Sequence, residues 1–153
     1  MRVFLLASVI AAVLAGCGGS PSSTGGADSL TTREVRLPNG FKVLAEIKAN
    51  DADRAQGMMF RDSLAADKGM LFVHERPSKY AYWMYNCRIP LDIIWLGTDK
   101  RIVEISPDTP PCPSQEPSQC GSFGGNETSQ FVVELQAGSA ARHNLRVGDK
   151  IDF

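Results

Sequence analysis

The chemistry open to this 153-residue chain is narrow, because it holds only two histidines, His74 and His143. Any Ser-His-Asp relay would have to run through one of them, and neither lies in a motif that supports one. No G-x-S-x-G, H-E-x-x-H, P-loop or G-x-G-x-x-G pattern occurs. The richest meeting of polar and large apolar groups is the block from Trp83 to Asp92. Asn86 offers two donors and an acceptor. Asp92 follows Ile89-Pro90-Leu91, where Pro90 fixes φ and is a candidate for a cis bond. Two readings stay open. In one, Asn86 and Asp92 hydrogen-bond to backbone amides of the turn around Pro90. In the other, Arg61, Trp83, Asn86 and Asp92 converge on one ligand pocket. An enzymatic version would be a hydrolase working with Asp92 and Arg61, and the residues leave open whether any catalysis occurs.

Soft ligands offer another chemistry. Met58, Met59, Met70 and Met84 are adaptable core filler on the ordinary reading. On the sharper one they form a thioether site for Cu(I), with Cys87 or His74. Against that, Met58 and Met59 are adjacent and should point to different faces. No C-x-x-C pair is present, so zinc is not expected. The reading assigns no resident metal and no cofactor. Glu134 lies in an alternating run with Phe131, Val133 and Leu135 on one face and Val132 beside it on the other. A solvated or salt-bridged face is expected for it in preference to a catalytic base.

The elements that must position these groups are mostly short strands. Residues 34–37 and 41–47 flank Pro38-Asn39-Gly40 as a hairpin. Asn50 or Asp51 caps a short helix that Gly57 ends. Further strands are expected at 69–74, 80–85, 92–96, 101–106, 130–135 and 150–153, with a short helix within 137–145. The sum is a mainly β fold, a β-sandwich or barrel-like sheet with two short helices. Residues 107–129 hold five Pro, three Gly and two Cys and read as a long loop. A Cys112–Cys120 disulfide would staple it, leaving Cys87 as a buried small hydrophobe, a bridging partner or a reactive thiol.

Four segments together resemble the domain of unknown function 192 family. They are Arg54-Ala55-Gln56-Gly57-Met58-Met59-Phe60-Arg61, Asp67 to Val73, Trp83 to Trp95, and Val133 to Gly138 followed by Gly148-Asp149. The resemblance spans nearly all of residues 31–153. It implies a compact β-rich, sandwich-like fold, often exported or lipid-anchored, and no established activity. The chain departs from the family pattern at Cys87, where many members carry Thr, and in the expanded 107–129 loop.

The N-terminus gives an address. Arg2 precedes a twelve-residue apolar run, Val3 to Leu14, which suits a secretory signal and falls short of the roughly 20 residues that span a bilayer. Leu14-Ala15-Gly16-Cys17 then resembles a bacterial lipobox, so residues 1–16 are expected to be a lipoprotein signal peptide and Cys17 the acylated first residue of the mature protein. Residues 17–30 read as a flexible Gly/Ser linker and 31–153 as a single domain. The expected place is the bacterial cell envelope, lipid-anchored and facing the periplasm, with the outer membrane favoured because Gly18 follows the Cys. Sixteen Lys+Arg balance seventeen Asp+Glu, so no nucleic-acid partner is expected. The partners expected are the membrane, through the lipid, and a small ligand or envelope component.

Overall fold

The computed structural model describes residues 31–153. The expected signal peptide, Cys17 and linker lie outside the described residues. Strand β1 (Thr32–Arg36) pairs antiparallel with β2 (Lys42–Lys48) across the Pro38-Asn39-Gly40 turn. Gly40 makes that turn at φ 84°, where a Cβ would be strained. Helix α1 (Asp51–Gln56) starts where Asn50 Oδ1 accepts the Asp53 amide at 2.9 Å, and stops at Gly57. It forms part of the crossover that returns β3 (Lys68–Ser78) parallel to β2.

The remaining elements are β4 (Tyr82–Trp83), β5 (Leu91–Leu96), β6 (Ile102–Thr109), β7 (Ser122–Phe123), β8 (Ser129–Gln136) and α2 (Ser139–Arg142). The main sheet runs β1-β2-β3-β8-β5-β6, and β4 and β7 form a small separate ribbon. The C-terminal segment then joins the two edges of the large sheet. Lys150 bridges Arg101 beside β6, and Asp152 bridges Arg36 of β1, with the Arg36 amide donating to the Asp152 carbonyl at 2.7 Å. The sheet is thereby curled into a barrel-like form, with the C-terminal segment bridging one end of each edge strand.

Two apolar clusters lie on the two faces of this sheet. The inner one gathers Val35, Val43, Leu71, Ile94, Leu96, Val133, Leu135 and Ile151. The outer one gathers Met58, Met70, Phe72, Met84, Ile93, Trp95 and Val132, beneath the segments that carry Tyr82, Cys87, Ile89, Cys112 and Phe123. β5 is buried at every residue and apolar at all but Asp92, the sequence counterpart of a strand covered on both sides.

The mainly β class with two short helices stands. Several local expectations change. The aromatic run 80–85 is strand only at Tyr82–Trp83, and 150–153 makes two isolated bridges in place of a strand. Pro90 is trans, since no cis peptide bond occurs among the described residues. The 107–129 stretch is an ordered arm: β6 extends to Thr109, the Cys112–Cys120 disulfide closes it, and β7 pairs it to β4. Gly124 seats it on the core at φ 64°, because a Cβ there would lie 2.3 Å from Trp95 Cζ2.

Candidate ligand site

The four residues expected to converge do not share one pocket, and the period of two along β5 is the reason. Asp92 points to the face of Ile94 and Leu96, in the inner cluster, whereas Ile93 and Trp95 belong to the outer one. Asp92 is fully buried and accepts backbone amides from Asp108 at 2.8 Å, Gly138 at 3.1 Å and Ala140 at 2.6 Å. It fixes the start of α2 to the end of β6. Fully buried and held by these three amides, it is closed to a substrate from solvent. Asp92 is therefore a structural acceptor, but for amides of β6 and the start of α2 and not for those of the Pro90 turn expected for it.

Arg61 makes a two-pronged pair with Glu46 of β2 at 2.6 and 2.8 Å, and that guanidinium, followed by Lys48, holds the Glu46 carboxyl below its ordinary range. Both line an open groove of about 680 Å³ with Leu44, Leu64 and Lys68. Asn86 adopts φ 55°, its carbonyl accepts the Phe60 amide at 2.8 Å, and it lines a surface hollow beside Cys112. Trp83 stands on β4, 42% exposed, at a different opening.

That opening leads to a cavity of about 30 Å³ lined by Gly57, Met58, Phe72, Tyr82, Trp83, Cys87 and Glu134 among others. Glu134 was expected on a solvated or salt-bridged face. It is instead 4% exposed, and its Oε2 has no hydrogen-bond partner. Burial pushes its carboxyl up to about 8, against a smaller pull from Arg61, so it is largely protonated at neutral pH. Burial, and next the nearness of Glu134, pushes the Cys87 thiol up to about 12 and raises the Tyr82 phenol as well. Alternation along a strand places a residue in water only where that face is open, and both faces of β8 are covered. Val132, on the same side as Glu134 and fully buried, was the available signal.

The soft-ligand set divides. Met70 and Met84 are sealed in the outer core, while Met58, Met59 and Cys87 all line the Glu134 cavity. Adjacent Met58 and Met59 thus reach one cavity, contrary to the strand-like alternation expected of them, because they lie in a turn after α1. His74 stacks on Tyr80 at 3.5 Å between centroids and hydrogen-bonds to the Tyr82 hydroxyl at 3.1 Å. Burial and the Arg54 charge hold it down at about 4, so it stays neutral.

The architecture is that of a β-barrel-like domain with two buried acids, Asp92 on one face of the sheet and Glu134 beside an aromatic-lined cavity on the other. The sequence pattern of DUF192, described as Uncharacterized ACR, COG1430, matches residues 35–153, and the chain belongs to that family. The fold is similar to the crystal structure of a protein of unknown function from Novosphingobium aromaticivorans DSM 12444, at 29% identity and TM-score 0.70, covering 80% of this chain and 85% of that one. It is also similar to a candidate transcription regulator from Sinorhizobium meliloti 1021, at 26% identity and TM-score 0.68, covering 78% of this chain and 89% of that one. No curated protein matches the chain.

Proposed function

We propose that the protein is a membrane-tethered, extracytoplasmic binding module of the bacterial cell envelope, held by an acylated Cys17 and carrying its ligand seat in the Glu134 cavity. One observation supports the seat above others: a buried carboxyl oxygen without a partner, on a residue that lines a pre-formed cavity of mixed polar and apolar walls. The larger groove beside Arg61 is less suited, because its one carboxylate, Glu46, is already paired with Arg61 and Lys48. A hydrolase is disfavoured, since Asp92 is occupied by amides and the cavity holds one carboxyl without a second group that titrates near neutrality. The near-balance of charge gives no support to carrying a transcription-regulator role to this chain.

The tether is tested by metabolic labelling with a radioactive fatty acid in a bacterial host. The wild-type chain should carry label and sediment with membranes, and Cys17→Ser should do neither. An unlabelled, freely soluble wild-type protein would refute the anchor. A second reading, copper handling, draws on the meeting of Met58, Met59 and Cys87 at one cavity. It expects stoichiometric Cu(I) retained under reduction and lost in Cys87→Ser. Met84→Leu should leave retention intact, because Met84 is enclosed in the core.

A further inference from the structure

We propose, resting on the reading of the Glu134 cavity as the ligand seat, that it receives the protonated tip of a primary alkylamine, and that Glu134 yields its proton to water as the ammonium enters. The carboxyl supplies the polar end. Glu134 Oε2 is enclosed without a donor, so a guest bearing N–H groups satisfies it. The walls select among such guests. Phe72, Tyr82 and Trp83 bring aromatic rings to the cavity, and ring faces attract organic cations. The thioether of Met58 is soft and adaptable.

Size narrows the guest further. A cavity of about 30 Å³ admits roughly two waters, at about 10–15 Å³ of water-centre space each, and so an ammonium group with one carbon but not a sugar or a ring. A hard metal ion is a poor fit. The cavity offers a single carboxyl, and no group of three His, Cys, Asp or Glu side chains suited to a metal occurs among the described residues.

The charged groups facing Glu134 leave it as the one that titrates. Arg54 of α1 is bonded to the Asp51 carboxylate and to the carbonyls of Ala49 and Val73. Arg61 is held by Glu46. Tyr82 and Cys87 keep their protons through the neutral range. The register partners of Glu134, Met70 on β3 and Ile93 on β5, carry no charge. The exchange balances: the Glu134 O–H bond breaks, its proton leaves to water, and an ammonium N–H donates to the carboxylate left behind. One positive charge enters and one leaves, so the seat stays neutral overall.

The test titrates methylammonium into the full chain, and separately acetamide, watching the Glu134 carboxyl carbon and the Trp83 indole by NMR. Calorimetry in buffers of different ionisation heat counts protons. Alkylammonium groups stay charged to about pH 10, so any pH dependence belongs to the protein. Methylammonium should shift both signals saturably and release one proton per molecule bound at neutral pH. Its affinity should rise about tenfold per pH unit between about pH 6 and pH 7, and level off above about pH 8. Glu134→Gln should lose the proton release and at least about tenfold in affinity, and Trp83→Ala, at the rim, should weaken binding while keeping the proton release. Affinity that ignores pH, or that survives Glu134→Gln, overturns the amine assignment. Saturation by acetamide but not methylammonium also overturns it while the ligand seat stands. Silence of both signals to both probes overturns the seat as well.

Discussion

At the scale of single residues, two carboxylates on neighbouring strands have opposite fates. Asp92 and Glu134 lie one register step apart, since Asp92 pairs with Leu135 and Ile93 with Glu134. They therefore face opposite sides of the sheet. Asp92 meets three amides, while Glu134 borders a small void and its Oε2 meets no donor. The consequence for pH is specific. The folded Glu134 carboxyl sits at about 8, above its ordinary 4.5. The folded chain thus binds a proton that the unfolded chain has already released across that interval, so stability is fully present below the ordinary value and falls as pH rises to about 8. The loss is on the order of 4 kcal/mol, at about 1.36 kcal/mol per unit of pKa. His74 acts in the opposite sense lower down: held at about 4 against an ordinary 6.5, it withdraws stability as pH falls through that range. Urea unfolding of Glu134→Gln should therefore show a stability nearly flat from pH 6.5 to pH 8, where the wild type declines. A wild type equally flat there would mean that Glu134 is already ionised and paired in the folded state. The amide capture by Asp92 had been legible as one of two readings. Glu134 had not, because a single strand does not reveal what covers its second face.

At the scale of elements, strand existence was legible and strand company was not. The β1–β2 hairpin, the Asn50 cap and the β3, β5, β6 and β8 strands all follow from alternation, turn residues and apolar runs. The parallel β2–β3 pairing and the insertion of β8 between β3 and β5 follow from contacts distant in sequence, which no local pattern records. The 107–129 arm is irregular for most of its length, as its Pro and Gly content implies, and carries the expected disulfide; its order comes from tertiary anchors. These are the disulfide, the β4–β7 ribbon and the close seat of Gly124 under Trp95. The arm also shields the outer cluster, where Cys112 and Phe123 pack. Replacing Cys112 and Cys120 by Ser should lower stability by about 2.5 kcal/mol on the chain-entropy account of so short a closed loop. Hydrogen exchange should quicken at Ser122 and Phe123 first, leaving the β3–β8 ladder protected. Uniform loss of protection over both would mean that the arm and the main sheet unfold as one unit.

For the whole molecule, the decisive feature is closure. The β1 and β6 edges lie at opposite ends of the sheet order and, among the described residues, are bridged through the last few. The Ile151 amide donates to the Lys100 carbonyl at 3.1 Å, and its side chain is fully buried in the inner cluster. The Asp152 amide donates to Arg36 at 3.1 Å, and Lys100 Nζ lies 4.2 Å over the Phe153 ring. The segment thus fastens both rims while plugging the core between them. Truncation after Asp149 removes a buried isoleucine worth about 2–5 kcal/mol together with the amide pairs at Arg36. A tail that only decorates one edge would cost protection next to Lys100 alone. A tail that closes the barrel exposes two distant strands at once. Hydrogen exchange on the truncated chain should therefore show two amides losing protection together, with a lowered urea midpoint: Arg36 on one rim, whose acceptor Asp152 is gone, and Ile102 on the other, whose acceptor Asp149 has become the loose chain end. Residues facing the Glu134 cavity lie on the outer face, away from this plug, so the Trp83 indole environment should persist in whatever fraction stays folded. Loss confined to the Lys100 side would show that β1 holds its place without the tail, and that the sheet is open in solution.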